Sequence, residues 1–402
     1  MKTILILLIG FCFSVTSFSQ ENLVNANNNF AFNIYKVTKP DSNNFFISPF
    51  SLNIALAMAS EGAAGKTREE IDNLLCIKDI ENRSTAYKSL IEKSTNLYDA
   101  FYQLCTESTI GEVGENQLWI ANSMWINDSM KLDESYASTI NNYYNSECFH
   151  FNLNNLDEVN LRLQEWVSEK TNEKIKNISP LDKGTMLNLV NAIYFMGEWS
   201  LPFDENLTKE DLFSTLSKEE EYKKFMYQQT DLEYYKDLKI QSICIPYLCN
   251  QFSMMIILPN KKYGILDIEK KLDKAYFDKI KNKSESLEVI LSLPKFKIET
   301  ELKPKESIKN MGYTNMFSTE ANFTNISQEG GLMIGGIIHK TYIEIDEKKT
   351  EAAAVTKLTI ISYGVSSSKP PKPKKFTADH PFIFLIIDNR TNAVLFIGRF
   401  VK

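Results

Sequence analysis

Residues 347–363 have the alternating pattern of a buried β-strand, although a stretch with the composition of an exposed loop follows at once. From Thr350 onward every second residue is small or apolar, and the charges of Glu351 and Lys357 fall on the opposite face. The small or apolar set is Thr350, Ala352, Ala354, Thr356, Leu358, Ile360 and Ser362. The following residues 366–375 are Ser, Pro and Lys, which is typical of a loop. This combination predicts a segment that changes its structural state.

The composition is that of a folded chain without a general affinity for anions. Hydrophobic residues make up 43% and aromatic residues 12%, which excludes a disordered chain. The net charge of −6 gives no overall attraction to nucleic acid or to an anionic membrane. The length of 402 residues allows two ordinary domains or one large one. Since no linker divides the chain, we predict one domain over residues 20–402. We also predict a monomer.

The N-terminus has the pattern of a secretory signal peptide. Lys2 precedes the largely apolar run Ile4–Val15, and Ser17–Ser19 has the small-x-small pattern of a cleavage site. An anchoring helix is the alternative, but this run is too short to span a bilayer. We therefore predict a signal peptide over residues 1–19 and a secreted, extracellular protein.

Several glycosylation sequons agree with secretion. The candidate acceptors are Asn82, Asn127, Asn206, Asn282 and Asn389. Asn389 lies in the polar turn 388–392, which predicts good exposure. Five cysteines remain after the predicted cleavage, so at least one is unpaired within the chain, and their spacing matches no zinc site.

Helical patterns dominate the first part of the chain and strand patterns the later part, which predicts an α+β fold. Predicted helices cover 23–37, 51–60, 67–75, 87–105, 133–144 and 157–173. Ser48 and Pro49 mark the start of the second helix, and Thr67 with Glu70 forms a capping box for the third. Predicted strands cover 118–126, 186–195, 240–247, 252–258, 287–299, 333–345, 382–388 and 393–400. The strands 118–126 and 186–195 are apolar enough to be buried on both faces.

The motifs of common enzyme classes are absent from the sequence. The chain has three histidines and no nucleophile elbow, zinc-protease helix or dinucleotide-binding turn. His339 lies in an apolar strand, which favours a hydrogen-bonded core histidine over a general base. We therefore expect neither an enzyme nor a site for a metal or a cofactor.

Several motifs in order make the chain resemble the serpins, the serine protease inhibitor superfamily. The similar segments are Asn44–Leu52, Gly62–Arg68, Trp166–Ile175, Leu189–Trp199 with Phe203, Leu293–Phe296, Ile338–Lys340, Glu351–Ala354, Ala378–Phe382 and Phe396–Arg399. The resemblance implies three β-sheets, eight or nine helices and an exposed reactive-centre loop at about 347–375. It also implies that a target protease cleaves this loop, which then inserts into the main sheet with the acylated protease attached.

The resemblance also assigns roles within the loop. Its hinge corresponds to Glu347, Lys349, Thr350, Glu351, Ala352, Ala353, Ala354, Val355 and Thr356. The usual distance from Glu347 places the reactive bond at Tyr363–Gly364, which implies a chymotrypsin-like target. The segment 364–375 is longer than usual, so the bond position is open.

One departure from the family pattern sustains a second hypothesis. Lys349 stands where the family usually has Gly, and Gly eases backbone rearrangement. A non-inhibitory binding or carrier protein on the same fold is therefore the alternative. Lys369, Lys372, Lys374 and Lys375 are candidates for contact with a polyanion, against the alternative of a solvated basic loop.

Overall fold

The computed structural model describes residues 2–97, 116–181, 184–347 and 372–402, with side chains from Ser19 onward. Nine α-helices lie within these ranges. They are α1 (Lys2–Thr38), α2 (Pro49–Gly62), α3 (Gly65–Leu75), α4 (Arg83–Thr95), α5 (Glu134–Tyr144), α6 (Leu156–Lys170), α7 (Ile265–Lys271), α8 (Lys274–Lys283) and α9 (Lys305–Asn310). Among the helices of the described ranges, none combines the length and apolarity needed to cross a membrane.

The strands of the described ranges form two sheets. They are β1 (Phe45–Ile47), β2 (Gln117–Asn127), β3 (Glu147–Phe151), β4 (Leu187–Met196), β5 (Lys209–Ser214), β6 (Glu220–Lys236), β7 (Ile240–Pro246), β8 (Phe252–Pro259), β9 (Glu285–Pro294), β10 (Phe296–Leu302), β11 (Ile334–Ile345), β12 (Lys374–Thr377), β13 (Phe382–Asp388) and β14 (Ala393–Phe400). The larger sheet has the order β1-β14-β13-β8-β7-β6-β9-β12, with β5 added on β6. The smaller sheet has the order β10-β11-β4-β2-β3.

The α+β fold class is confirmed, and the long strand β6 explains why three expected sheets appear as two. Residues 225–234 of β6 pair with β9, and residues 233–236 pair with β7. One continuous strand therefore belongs to both halves of the nine-stranded sheet.

The start of α2 is as predicted, whereas the capping box of α3 is wrong. The Ser48 side chain accepts a hydrogen bond from the Ser51 N–H at 3.1 Å, as an N-cap does. Helix α3 begins at Gly65, before Thr67, and has no side-chain cap. The Thr67 hydroxyl instead contacts Asn315, a residue remote in sequence. Tertiary contacts therefore override the local pattern.

The predicted strand 287–299 is wrong as a single element. The chain leaves the larger sheet at Pro294 and enters the smaller one at Phe296, so that β9 and β10 belong to different sheets. Lys295 makes the transition, and its N–H donates to the Lys224 carbonyl at 2.8 Å. Both predicted hairpins, β7–β8 and β13–β14, are present. Of the predicted helix 87–105, the part beyond residue 97 lies outside the described residues.

The five-stranded sheet is covered on both faces. Its inner face joins the main hydrophobic core, which includes residues from Leu23 to Val401. Helix α6 covers the outer face, where Trp166 and Val167 pack in one cluster with Val190 and Ala192 of β4. Strand β4 is therefore buried on both sides, as its apolar sequence predicts.

Candidate functional site

Strands β4 and β11 are direct, parallel neighbours in the middle of the five-stranded sheet. Their register pairs Leu189 with Ile337 and Tyr194 with Tyr342, and no described strand separates them. The chain leaves the end of β11 toward the segment 348–371. A segment that turned back between the two strands would run antiparallel to both, replacing one parallel pairing by two antiparallel pairings. Since parallel pairing is slightly weaker per residue, this site can accept a sixth strand favourably.

We call the line along which β4 and β11 pair the junction. The environment of an inserted strand follows from the side chains on either side of this junction. On the inner face, Ile337 of β11 and Leu189 of β4 belong to the main core. On the outer face, Ile338 of β11 and Val190 of β4 belong to the cluster beneath α6. A charge on the inner face of an inserted strand would therefore be buried without a partner, at a cost of several kcal/mol.

A buried polar network holds β4, β11 and the start of α2 together. His339 and Asn191 are register partners across the junction, and the His339 Nδ1 contacts the Asn191 Oδ1. The Asn191 amide also donates to the Ser51 hydroxyl and to the Asn122 Oδ1. The Ser48 N–H donates to the His339 Nε2 at 3.0 Å. Separation of β4 from β11 must therefore break the contact between His339 and Asn191.

The protonation state of His339 follows from this geometry. Its Nε2 accepts from a backbone N–H, so Nδ1 carries the proton that it donates to Asn191. Complete burial lowers the pKa of His339 to about 3. The ring is therefore neutral at physiological pH, and the prediction of a hydrogen-bonded core histidine is confirmed.

The last described residues before the loop are held by hydrogen bonds at the C-terminal end of β11, which we call the upper end of the junction. The Trp199 Nε1 donates to the Asp346 carbonyl at 2.9 Å, and the Phe203 N–H donates to the Glu347 carbonyl at 3.2 Å. The Glu347 carboxylate accepts from the Thr208 hydroxyl at 2.6 Å and forms an ion pair with Lys295. These contacts, which we call the hinge latch, fix the point where the loop leaves β11.

The Glu347 carboxylate is held in its charged form. Burial favours the neutral acid, but the hydrogen bonds from Lys295 and Thr208 outweigh it and keep the pKa of Glu347 below its ordinary value. The latch is therefore closed at neutral pH and weakens as the pH falls into the range where this carboxyl is protonated.

Replacing Glu347 by glutamine tests the hinge latch. The side chain is only 7% exposed, and loss of its charge removes the ion pair with Lys295. We expect the unfolding free energy of the native state to fall by about 1–2 kcal/mol, measured by urea denaturation at pH 7. Glu344→Gln is the matched control, because Glu344 lies three residues earlier and is exposed. An equal loss in both variants would contradict a specific latch.

Most of the loop residues singled out from the sequence lie outside the described part of the chain. They are Lys349, Thr350, Glu351, Ala352, Ala353, Ala354, Val355, Thr356, Tyr363, Gly364 and Lys369. Of the predicted hinge, Glu347 is described, and the structure places it in the latch. The remaining loop assignments stay predictions.

The sequence reasoning missed the partners of Glu347. The predicted strand 287–299 includes Lys295, and none of the predicted helices and strands includes Thr208. A charged residue directly after Pro294 in an alternating segment was the available signal, because it marks a point where the strand pattern is interrupted.

The glycosylation candidates differ in the accessibility of their side chains. Asn82, Asn206 and Asn282 are exposed, whereas Asn127 is 4% exposed. The Asn389 Nδ2, to which a glycan would be attached, donates to the Ser253 hydroxyl at 2.7 Å. The first three are therefore the better placed acceptors.

Comparisons with known proteins agree on one family over nearly the whole chain. The family model described as Serpin (serine protease inhibitor) matches residues 25–402. An uncharacterized serpin-like protein of Methanosarcina acetivorans is 36% identical, with 99% of this chain and 96% of the relative covered. Human Serpin B3 is 31% identical, with 94% and 99% covered. The crystal structure of tengpin, a thermophilic serpin in the native state, has a TM-score of 0.80 at 28% identity, with 96% of this chain and 94% of tengpin covered.

Proposed function

The chain belongs to the serpin family, and from this premise we propose that it is a secreted, trapping inhibitor of chymotrypsin-like serine proteases. The family is one of serine protease inhibitors, and membership confirms that the chain is not an enzyme. In the proposed mechanism the protease cleaves the loop and forms an acyl-enzyme, and the freed loop enters between β4 and β11 before the ester is hydrolysed.

The observation that carries this proposal is the match between the junction and the loop sequence. The latch at Glu347 lies at the upper end of two parallel strands that are direct neighbours. The sequence that follows places only small or apolar residues on one face from Thr350 to Ser362. Such a segment can enter the covered site without burying a charge on its inner face.

The proposed specificity rests on Tyr363. The usual spacing from Glu347 places this residue before the bond that the protease attacks. A tyrosine at that position fits a deep apolar pocket, as in chymotrypsin-like proteases.

Incubation with chymotrypsin tests inhibition and bond position together. We expect a complex that survives SDS electrophoresis and a released C-terminal fragment that begins at Gly364. Tyr363→Arg should transfer complex formation from chymotrypsin to trypsin, with a change in preference of at least about tenfold. Rapid cleavage without a trapped complex would contradict the proposed inhibition, whereas a trapped complex with another fragment start would move the reactive bond.

The proposal of secretion rests on the N-terminal segment. Helix α1 runs through the predicted cleavage point, and the family match begins at residue 25, after that point. Removal of residues 1–19 would therefore leave the whole matched region in the mature chain. Mass spectrometry of the exported protein should find Gln20 at the N-terminus, with glycans on Asn82, Asn206 or Asn282 in a host that glycosylates.

A non-inhibitory binding or carrier protein is the second candidate, and Lys349 is the observation that favours it. A lysine at this hinge position restricts the backbone more than the family's usual glycine. Thermal unfolding before and after loop cleavage separates the two candidates. An insertable loop raises the melting temperature sharply on cleavage, whereas an unchanged melting temperature would support the carrier.

A further inference from the structure

Gln20 is the residue that the predicted signal cleavage turns into the N-terminus of the mature chain. Cleavage after Ser19 leaves Gln20 with a free α-amino group. The amide carbon of a glutamine side chain can close a five-membered ring with the amine of the same residue. An asparagine would have to form a strained four-membered ring, and the carboxyl of a glutamate carries a poorer leaving group. The residue at the cleavage point is therefore the one that cyclises most readily at an N-terminus.

The start of α1 is attached to the body of the protein close to Gln20. Leu23, about one turn further along the helix, is fully buried. One turn beyond it, the Asn27 Nδ2 donates to the Val394 carbonyl at 3.1 Å, and the Val394 N–H donates to the Asn28 Oδ1 at 2.8 Å. Because residues seven apart share one face of a helix, Gln20 lies on the side of α1 that faces β14. The new terminus therefore belongs to the first turn of an anchored helix.

The nitrogen of the Gln20 side chain has no partner in the described part of the chain. The Nε2 is shielded from solvent and makes no hydrogen bond there, although the side chain as a whole is half-buried. A shielded donor without an acceptor is unfavourable, because it has lost its water without a replacement. Cyclisation expels this nitrogen, and no hydrogen bond of the Nε2 has to break for the amide to turn toward the amine.

Cyclisation also removes a charge from an unfavourable position. The first turn of a helix presents unpaired backbone N–H groups and is the positive end of the helix dipole. The α-ammonium group of an uncyclised Gln20 would lie at this end of α1. Since the lactam is neutral, its formation removes the repulsion, as acetylation of an N-terminus does.

We propose that the mature protein carries pyroglutamate at position 20, formed from Gln20 after signal cleavage. The α-amino nitrogen attacks the side-chain amide carbon, a new C–N bond closes the ring, and the bond from this carbon to the Nε2 breaks. One proton passes from the amine to the Nε2, which leaves as ammonia, and no oxidant, reductant or cofactor takes part. The proposal rests on the proposed secretion with cleavage after Ser19, but not on protease inhibition.

The mass of the exported protein tests the proposal. The full-length chain is expressed in a host that exports it, and the protein is collected from outside the cells. We expect an N-terminus at position 20 in which nearly every molecule is lighter by one ammonia than the Gln20 form. Edman degradation should be blocked until pyroglutamyl aminopeptidase exposes Glu21. A mass loss found only in peptides after digestion, and not in the intact protein, would be a preparation artefact and would overturn the proposal.

Gln20→Asn is the matched control, because it keeps an amide side chain and the net charge but cannot form the five-membered ring. It should be cleaved after Ser19 like the unmodified sequence. We expect it to retain its full mass and to be open to Edman degradation from the first cycle. The same mass loss and the same block in this variant would place the reaction at another residue and overturn the assignment to Gln20.

The N-terminus that is found separates this proposal from the proposal of secretion. A free Gln20 amine in most molecules would overturn the cyclisation but support the cleavage. A chain that keeps Met1 and stays inside the cell would overturn both. An exported chain that begins at another residue would support secretion, but it would overturn the cleavage point and with it the cyclisation. None of these outcomes depends on whether a trapped complex with a protease forms.

Discussion

Replacing Thr350 by arginine is expected to convert the protein from an inhibitor of chymotrypsin into its substrate. Thr350 is the first residue of the small or apolar set, so it enters the junction of β4 and β11 at its upper end. An arginine there would be buried beside the main core without a partner, at a cost of several kcal/mol. Because each 1.4 kcal/mol slows a step about tenfold, insertion should slow by on the order of a hundredfold or more. Hydrolysis of the acyl-enzyme would then be faster than insertion of the loop, and the protease would be released.

The measurement is the fraction of cleaved protein that remains in the SDS-stable complex. Glu351→Arg is the matched control, because position 351 lies on the opposite face, carries a charge already and would enter at the end of β11 where Glu344 on that face is exposed. It should form the complex almost as well as the unmodified protein. If Thr350→Arg trapped chymotrypsin as efficiently as Glu351→Arg, the assignment of the two faces would be incorrect.

Acidification is expected to destabilise the native state through His339. Its pKa is about 3 in the folded protein, against 6.5 for an unperturbed histidine. Between these two pKa values the unfolded chain therefore binds a proton at this histidine, whereas the folded chain does not. The stabilisation is complete above pH 6.5 and is lost progressively as the pH falls from 6.5 toward 3. At pH 5 the loss amounts to about 2 kcal/mol, since each pKa unit corresponds to about 1.4 kcal/mol.

The physical cause lies in the position of the ring. A protonated His339 has no acceptor for the Ser48 N–H, so the buried network loses one hydrogen bond and gains a charge. The network spans the junction that must open for insertion, so protonation also weakens the contact between β4 and β11.

His339→Gln separates this effect from that of other groups. A glutamine side chain can still donate to Asn191 and accept from Ser48, but it does not titrate. Urea denaturation between pH 5 and 7.5 should show a much smaller pH dependence in the variant. Glu347 does not interfere in this range, because its pKa lies below the ordinary value of 4.5. The same slope in both proteins would contradict the assignment to His339.

The sequence by itself predicted the features that depend on local periodicity. The alternation from Thr350 to Ser362, the burial of β4 on both faces and the Ser48 cap are each encoded within about ten neighbouring residues. The resemblance to the serpins added the order of these elements, and with it the fold. Periodicity is readable because residues two apart in a strand, or three to four apart in a helix, share an environment.

Only the tertiary structure decided which remote residues meet. Lys295 lies 52 positions from Glu347, and Asn191 lies 148 positions from His339. Ion pairs, latches and charged surfaces depend on distances of a few ångströms between such residues, and Coulomb energy depends on that distance rather than on position along the chain. The strand-forming segment was therefore evident from the sequence, but the hinge latch at Glu347 and the buried network of His339 required the fold.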